Sequence, residues 1–302
     1  MRKPVDNKAK LLKNKGKFGQ IFRRKVAKQD VPVLNYAGIQ KLLNSSRQVL
    51  GVTQAMSFRE LIKQLVELGL LKEYRFQFPH DSFTRYAPPD VLLYSVVATF
   101  YKDAYFSHFS AMYLHQLTDQ LPKTIFLNFE QSPKPVSASW RTLEQANIDL
   151  AFSRKQRVTN NRCVFEEQTI VILNGKSTGC EGVEKISLND REAVRVSDLE
   201  RTLIDIAVRP SYAGGIQQVL SAYERAKDLG VSVNRLAATL KRLNYIYPYH
   251  QAIGFYLERA GYSESQLALL ERLDKEHDFY LDYELRDPDY SKRWRLYIPK
   301  GF

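Results

Sequence analysis

SFRELIKQLVELGLLKEY, residues 57–74, carries the clearest structural signature in this chain of 302 residues. Ser57 and Glu60 stand in the S-x-x-E spacing of a helix capping box. At 100° per residue, Phe58, Leu61, Ile62, Leu65, Val66 and Leu68 share one apolar arc of about 160°. Arg59, Glu60, Lys63, Gln64 and Glu67 fall on the opposite face, and Gly69 supplies a left-handed stop. Upstream, residues 36–48 read as a helix with Ile39, Leu42 and Leu43 on one side, and 51–55 as a turn. Downstream, 72–78 alternates, with Tyr74, Phe76 and Phe78 on one side and Arg75 and Gln77 on the other. A turn at 79–82 leads into a returning strand at 83–86, and Pro88-Pro89 closes the unit. No single piece is specific, but helix, turn, amphipathic helix and hairpin in that order predict a winged helix-turn-helix over residues 19–89.

Working outward toward the N-terminus, the composition changes sharply. Residues 1–30 carry eleven Lys/Arg against Asp6 and Asp30, so +9 of the formal +12 charge sits on a tenth of the chain. A positive end on a nearly neutral body points to a polyanion, most often nucleic acid. Residues 1–18 show no hydrophobic periodicity and read as a flexible basic arm, with a short helix beginning near Phe18.

Past Pro89 the pattern is that of a larger α/β region, residues 90–302. Helices are expected at 90–101, 107–117 and 143–152, and strands at 124–129, 169–173, 185–188 and 193–196. A helical run follows at 197–208, 214–229, 232–243, 249–260 and 263–277, with capping signals at Ser197-x-x-Glu200 and Ser263-x-x-Gln266. The end alternates again at 279–285 and 294–298, around a turn at 286–289. The fold class expected is α+β: a winged helix-turn-helix followed by a mixed α/β domain of antiparallel strands flanked by helices.

Composition narrows the function. An apolar fraction of 44% suffices for a buried core. The most apolar run, 91–100, is half of the ~20 residues a membrane span requires. The basic N-terminus is followed by no apolar segment, so it does not read as a signal peptide. Cys163 and Cys180 form no CxxC and have no histidine pair nearby, which fits a reducing, cytoplasmic setting.

Catalytic signatures fail in turn. Asn174-Gly175-Lys176-Ser177-Thr178 looks like the tail of a phosphate loop, but the required glycine five residues before Gly175 is Ile170, within an apolar strand. The segment is read as a glycine-containing hairpin turn. The five histidines form no HExxH or comparable ligand spacing, and no G-x-S-x-G elbow occurs. Asp287-Pro288-Asp289 has the D-x-D spacing of metal-using nucleotidyltransferases, yet the chain holds no Gly-Ser dipeptide, and it reads as a turn. A protein without catalytic activity, cofactor or metal is expected; an enzyme built from scattered carboxylates is the contrasting hypothesis.

The positive signals are for double-stranded DNA. In a winged helix the second helix enters the major groove N-terminal end first. Ser57, Arg59, Glu60, Lys63 and Gln64 are then the residues nearest the bases, with Arg59 and Lys63 suited to guanine edges or phosphates. Arg75 and Arg85 on the hairpin would reach the backbone or minor groove. Lys13, Lys15, Lys17, Arg23 and Arg24 would add phosphate contacts without sequence information. The contrasting reading of Arg59 and Lys63 is a solvated face with pairs such as Lys63–Glu67.

Three regions of the larger domain are similar to AbiEi-type antitoxins. They are SHFSAMYLHQLTDQ (107–120), VSDLERTLID (196–205) with RPSYAGG (209–215), and YHQAIGFYLERAG (249–261). The resemblance implies the antitoxin of a type IV toxin–antitoxin pair, active in abortive infection as a phage defence. Such a protein would repress its own operon at inverted repeats through the winged helix. It would neutralise a nucleotidyltransferase toxin through the C-terminal domain without a stable complex, and involve no membrane. Arg201, Asp205, Arg209, Tyr249, His250 and Arg259 are the polar positions of the matched segments and hence the candidates for antitoxicity. A winged-helix transcriptional regulator without a toxin partner is the alternative.

Overall fold

The computed structural model of the chain describes residues 7–133 and 143–302. Contacts between Cα atoms divide it into two compact units. The first runs to Lys102 and includes Lys185–Val194; the second comprises Asp103–Glu184 and Arg195–Phe302.

In the first unit the basic segment is helical. Helix α1 (Asn7–Lys13) leads into α2 (Lys15–Val26), and Leu11, Phe18, Phe22 and Val26 are buried. Phe18, Phe22 and Val26 recur at four-residue spacing, so one narrow apolar stripe enters the core while the lysines stay in water. The expected flexible arm is therefore corrected from Asn7 onward; its residues 1–6 lie outside the described residues. Strand β1 (Leu34–Asn35) is followed by α3 (Tyr36–Leu50), capped by the Asn35 side chain, which accepts from the Gly38 N–H. Buried Arg47 then donates to the carbonyls of Thr53 (3.0 Å) and Met56 (2.8 Å), fixing the turn into α4 (Phe58–Glu67). Strands β2 (Lys72–Gln77) and β3 (Ser82–Ala87) pair antiparallel, with β1 on the other side of β3. The core of this unit joins α1–α4 to Leu71 and Tyr86. The first unit extends beyond the expected boundary at Pro89 because Phe100, after the short helix α5 (Leu93–Val97), stacks on Phe83 at 4.4 Å and meets Phe76 edge-on at 4.8 Å.

The second unit holds most of a six-stranded sheet. Strand β4 (Tyr105–Phe106) and helix α6 (His108–Leu114) precede β5 (Thr124–Glu130). Helix α7 (Gln145–Phe152) leads to β6 (Arg162–Phe165) and β7 (Gln168–Gly175), then β8 (Val183–Asn189) and β9 (Glu192–Ser197). The strand order is β6-β7-β5-β4-β9-β8; the second unit holds β4 to β7, and of the last two strands, β8 and β9, the stretch Lys185–Val194 belongs to the first unit. The sheet is mixed rather than antiparallel: β5 pairs parallel with β7 and β4 with β9. After α7 the chain runs along the edge strand β6, antiparallel to β7, and turns back into β7, which lies parallel to β5. β7 has β6 and β5 as neighbours, so the segment from Lys176 to Gly182 is a connection and not the hairpin turn expected from its glycines.

The helices follow in sequence: α8 (Leu199–Val208), a 3₁₀ turn at Pro210–Tyr212, α9 (Ile216–Asp228), α10 (Val233–Leu243), α11 (Tyr249–Arg259) and α12 (Glu264–Glu271). The Ser263/Gln266 capping box forms as expected. At α8 the cap is Asp198, accepting from the Arg201 N–H at 2.7 Å, while the Ser197 hydroxyl pairs with that of Thr202. The chain then runs through β10 (Phe279–Tyr280), β11 (Asp289–Ser291) and β12 (Leu296–Ile298). The expected two-stranded return is replaced by three short strands, with β12 parallel to β10 and antiparallel to β11. Buried Trp294 packs over Gly254 of α11, where any Cβ would fall on its indole ring.

Candidate functional site

Two surfaces gather the residues that sequence reasoning singled out. In the first unit, the Ser57 hydroxyl accepts from the Glu60 N–H at 3.1 Å and starts α4. The reciprocal half of the capping box is replaced by a bond from Gln64 Nε2 to Glu60 Oε1 (3.1 Å). Leu61, Ile62 and Leu65 are buried, while Arg59, Glu60 and Lys63 are exposed. Lys63 stands 4.0 Å from Glu67, which also pairs with Lys8 at 2.9 Å. The exposed face of α4 is thus nearly charge-balanced, and the positive surplus comes from α1 and α2. Between Asn7 and Gln29 there are nine Lys/Arg and no acid, and Lys13, Lys15, Lys17, Arg23 and Arg24 are all exposed.

The two hairpin arginines differ. Arg75 is exposed and pairs with Glu73 at 2.7 Å. Arg85 turns inward: it donates to the Thr99 hydroxyl and carbonyl, each at 2.8 Å, and lies against the rings of Phe83 and Phe100. Burial pulls its pKa down. Its role is to tie the hairpin to the turn after α5, which removes it from the set facing a polyanion.

In the second unit, a cleft of about 970 Å³ receives four of the six antitoxicity candidates: Arg201, Asp205, Arg209 and Tyr249. Arg201, Asp205 and Arg209 succeed one another at four-residue spacing, so they line one face of α8 and its C-cap. Arg201 donates through Nε to Asp205 Oδ1 (2.8 Å) and through Nη1 to the Glu181 carbonyl (2.7 Å), and both side chains of the pair are buried. Burial works against the Arg201 charge, but Asp205, Tyr105 and Tyr245 together outweigh it and the pKa is raised. His108 also lines the cleft, with its backbone held at φ 52°, a left-handed conformation unusual for a residue with a side chain. Burial depresses its pKa to about 4, so the imidazole is neutral. Tyr212 meets it edge-on at 5.3 Å.

His250 and Arg259 fall outside this cleft. His250 on α11 is half-buried, its Nε2 has no hydrogen-bond partner among the described residues, and burial lowers its pKa to about 4. Arg259 is exposed at the end of the same helix. Sequence reasoning missed Arg157, Lys176, Tyr245 and Tyr247, which line the cleft from two loops and the end of β7. Lys176 Nζ donates to the carbonyls of Leu243 and Asn244 at the C-terminal end of α10. The only signal that could have found it was the abandoned Gly175-Lys176-Ser177 tripeptide. Among the described residues, no group of acids, histidines and cysteines could hold a metal, and no helix is long and apolar enough to cross a membrane.

No protein-family model matches the chain, and no curated protein does. Among solved structures, the fold is similar to that of the RV2827C protein from Mycobacterium tuberculosis. The TM-score is 0.55 at 12% identity, over 93% of this chain and 91% of that one. At that identity the likeness establishes a shared mixed α+β fold over nearly the full length of both chains.

Proposed function

We propose that the first unit is a winged helix-turn-helix that binds double-stranded DNA, and that the protein is an autorepressing antitoxin of the AbiEi type. One observation carries the reading: the chain order β1–α3–α4–β2–β3 with sheet order β1-β3-β2. In that order α4 is the recognition helix, β2–β3 is the wing, and the polar face of α4 is left for the major groove. Arg59 and Lys63 read base edges, and the cations of α1 and α2 hold phosphates. The antitoxin half rests on the segments similar to AbiEi proteins. All of them contribute to one cleft, through His108, Arg201, Asp205, Arg209, Tyr212 and Tyr249. The functional partner would be a nucleotidyltransferase toxin.

A gel shift on the DNA upstream of the protein's own gene, against a scrambled duplex at two salt concentrations, tests the first half. Selective, stepwise shifting is expected; equal, salt-sensitive shifting of both duplexes would reduce the first unit to a nonspecific basic surface. Co-expression with the neighbouring toxin gene tests the second half. Arg209→Ala should lose rescue and keep the shift, whereas loss of rescue in Arg59→Ala/Lys63→Ala would contradict the division of labour.

A further inference from the structure

The floor of the cleft is the carboxyl end of the parallel pair β5–β7. Gln131 to Pro133 follow β5 there, and Gly175 ends β7 just before Lys176 and Ser177. In α/β sheets that edge is where ligands collect, because the chain diverges beyond the strand ends and leaves backbone groups accessible. Gly175 leaves room at this edge for the Asn128 side chain, since a Cβ would lie 2.7 Å from Asn128 Oδ1.

The charges are unequal in what they have left to give. Arg201 is occupied by Asp205 and the Glu181 carbonyl and serves as scaffold. Among the described residues the Arg209 side chain makes one hydrogen bond, from Nη1 to the Arg157 carbonyl at 3.0 Å, and the exposed Arg157 side chain makes none. Two guanidiniums with open N–H groups, tied together through that carbonyl, suit bidentate capture of phosphate oxygens. Among the described residues Asp205 is the single carboxylate lining the cleft, and it is already paired. The segment after α10 adds Tyr245, Tyr247 and Tyr249, with Tyr245 and Tyr249 edge-to-face at 5.3 Å. Burial holds Tyr245 and Tyr249 in the neutral form, so their rings offer stacking surface without negative charge. The volume falls in the range of small-molecule pockets, about 300–1,000 Å³.

From this arrangement we infer that the cleft binds a nucleotide, its phosphates on Arg157 and Arg209 and its base among the three tyrosines. The inference is independent of DNA binding by the first unit. It is tested by equilibrium dialysis of the full chain with ADP, GDP, CDP and UDP, each against its nucleoside and against pyrophosphate, with EDTA present. Saturable binding of at least one diphosphate is expected, tighter than its nucleoside and than pyrophosphate. Arg209→Ala should weaken it about tenfold or more, the cost of a charge-assisted pair of hydrogen bonds. Arg157→Ala should do the same; the position is exposed and keeps the carbonyl that Arg209 uses, so loss of folding does not confuse the result. Arg59→Ala/Lys63→Ala should bind nucleotide normally. No saturable binding of any diphosphate, or binding unmoved in both cleft variants, would overturn the proposal. Capture of polyglutamate in preference to every nucleotide would overturn it too, and reassign the cleft to an acidic protein segment.

Discussion

Arg59 and Lys63 are exposed, and Arg59 is without a described partner, so neither is needed for the fold. Replacing both with alanine should leave stability within about 0.5 kcal/mol and weaken operator binding by about 10- to 100-fold, from the ~1–3 kcal/mol that one base contact supplies. Titration of a labelled duplex together with a urea melt checks both halves of that statement. His108 and His250 make a second prediction at this scale. Each is held near pKa 4 against an ordinary 6.5, with burial as the largest cause. The unfolded chain therefore binds more protons between those values, and stability rises with pH across them. The contribution is complete above about pH 6.5, is lost as pH falls toward 4, and amounts to roughly 3 kcal/mol per histidine. Carboxylates with lowered pKa, such as Glu130 and Asp278, add to the same trend toward its acid end, whereas Asp198 and Asp282, whose pKa burial raises, oppose it. Urea melts at pH 7.5, 6 and 5 should show the decline, and His108→Gln should flatten it; an unchanged slope would mean the imidazole is solvated.

Among the elements, those with a capping residue and a wide apolar arc were legible in the sequence. Helix α4 was found because six apolar positions share one side, and α9 to α11 because their stripes run for three turns between Gly, Ser and Pro boundaries. Of the two N-terminal helices only the part of α2 from about Phe18 is legible; α1 and the start of α2 read as a flexible arm, since the few apolar residues of the two helices stand among eight cations and beside Gly16. Arg85 was misplaced because strand alternation gives the side of the sheet but not the later segment that covers it. Gly254 tests α11. Gly254→Ala should cost about 3 kcal/mol, the upper range for overpacking a core, because the Trp294 ring lies on α11 at Gly254 and is held there by its Nε1, which donates to Glu258 of the same helix at 2.6 Å. Gly16→Ala, where nothing lies within 4 Å, should instead stabilise α2 by about 0.5–1 kcal/mol. Thermal or chemical melts of the two variants should move in opposite directions.

For the whole molecule, charge and cleft are divided between the two units. The sequence displayed the first as a run of lysines, whereas the cleft draws on separate segments near residues 108, 130, 157, 176, 205 and 247. No local pattern links such positions; only the strand order does. The clustering of charge carries one more prediction. Substituting Lys13, Lys15, Lys17, Arg23 and Arg24 with glutamine should weaken binding to all duplexes alike. The slope of log affinity against log salt should flatten by about 0.9 for each phosphate contact removed. A slope unchanged in the quintuple variant would assign those cations to another partner.

The packing of Trp294 on Gly254 also sets an order of events in the cell. The two residues are forty positions apart, and translation at about 5–20 residues per second leaves several seconds between them. Throughout that interval the ring that fills the groove at Gly254 of α11 does not yet exist. The groove of α11 can therefore close only after the tryptophan has been made, so this part of the core packs among the last steps in the folding of the second unit.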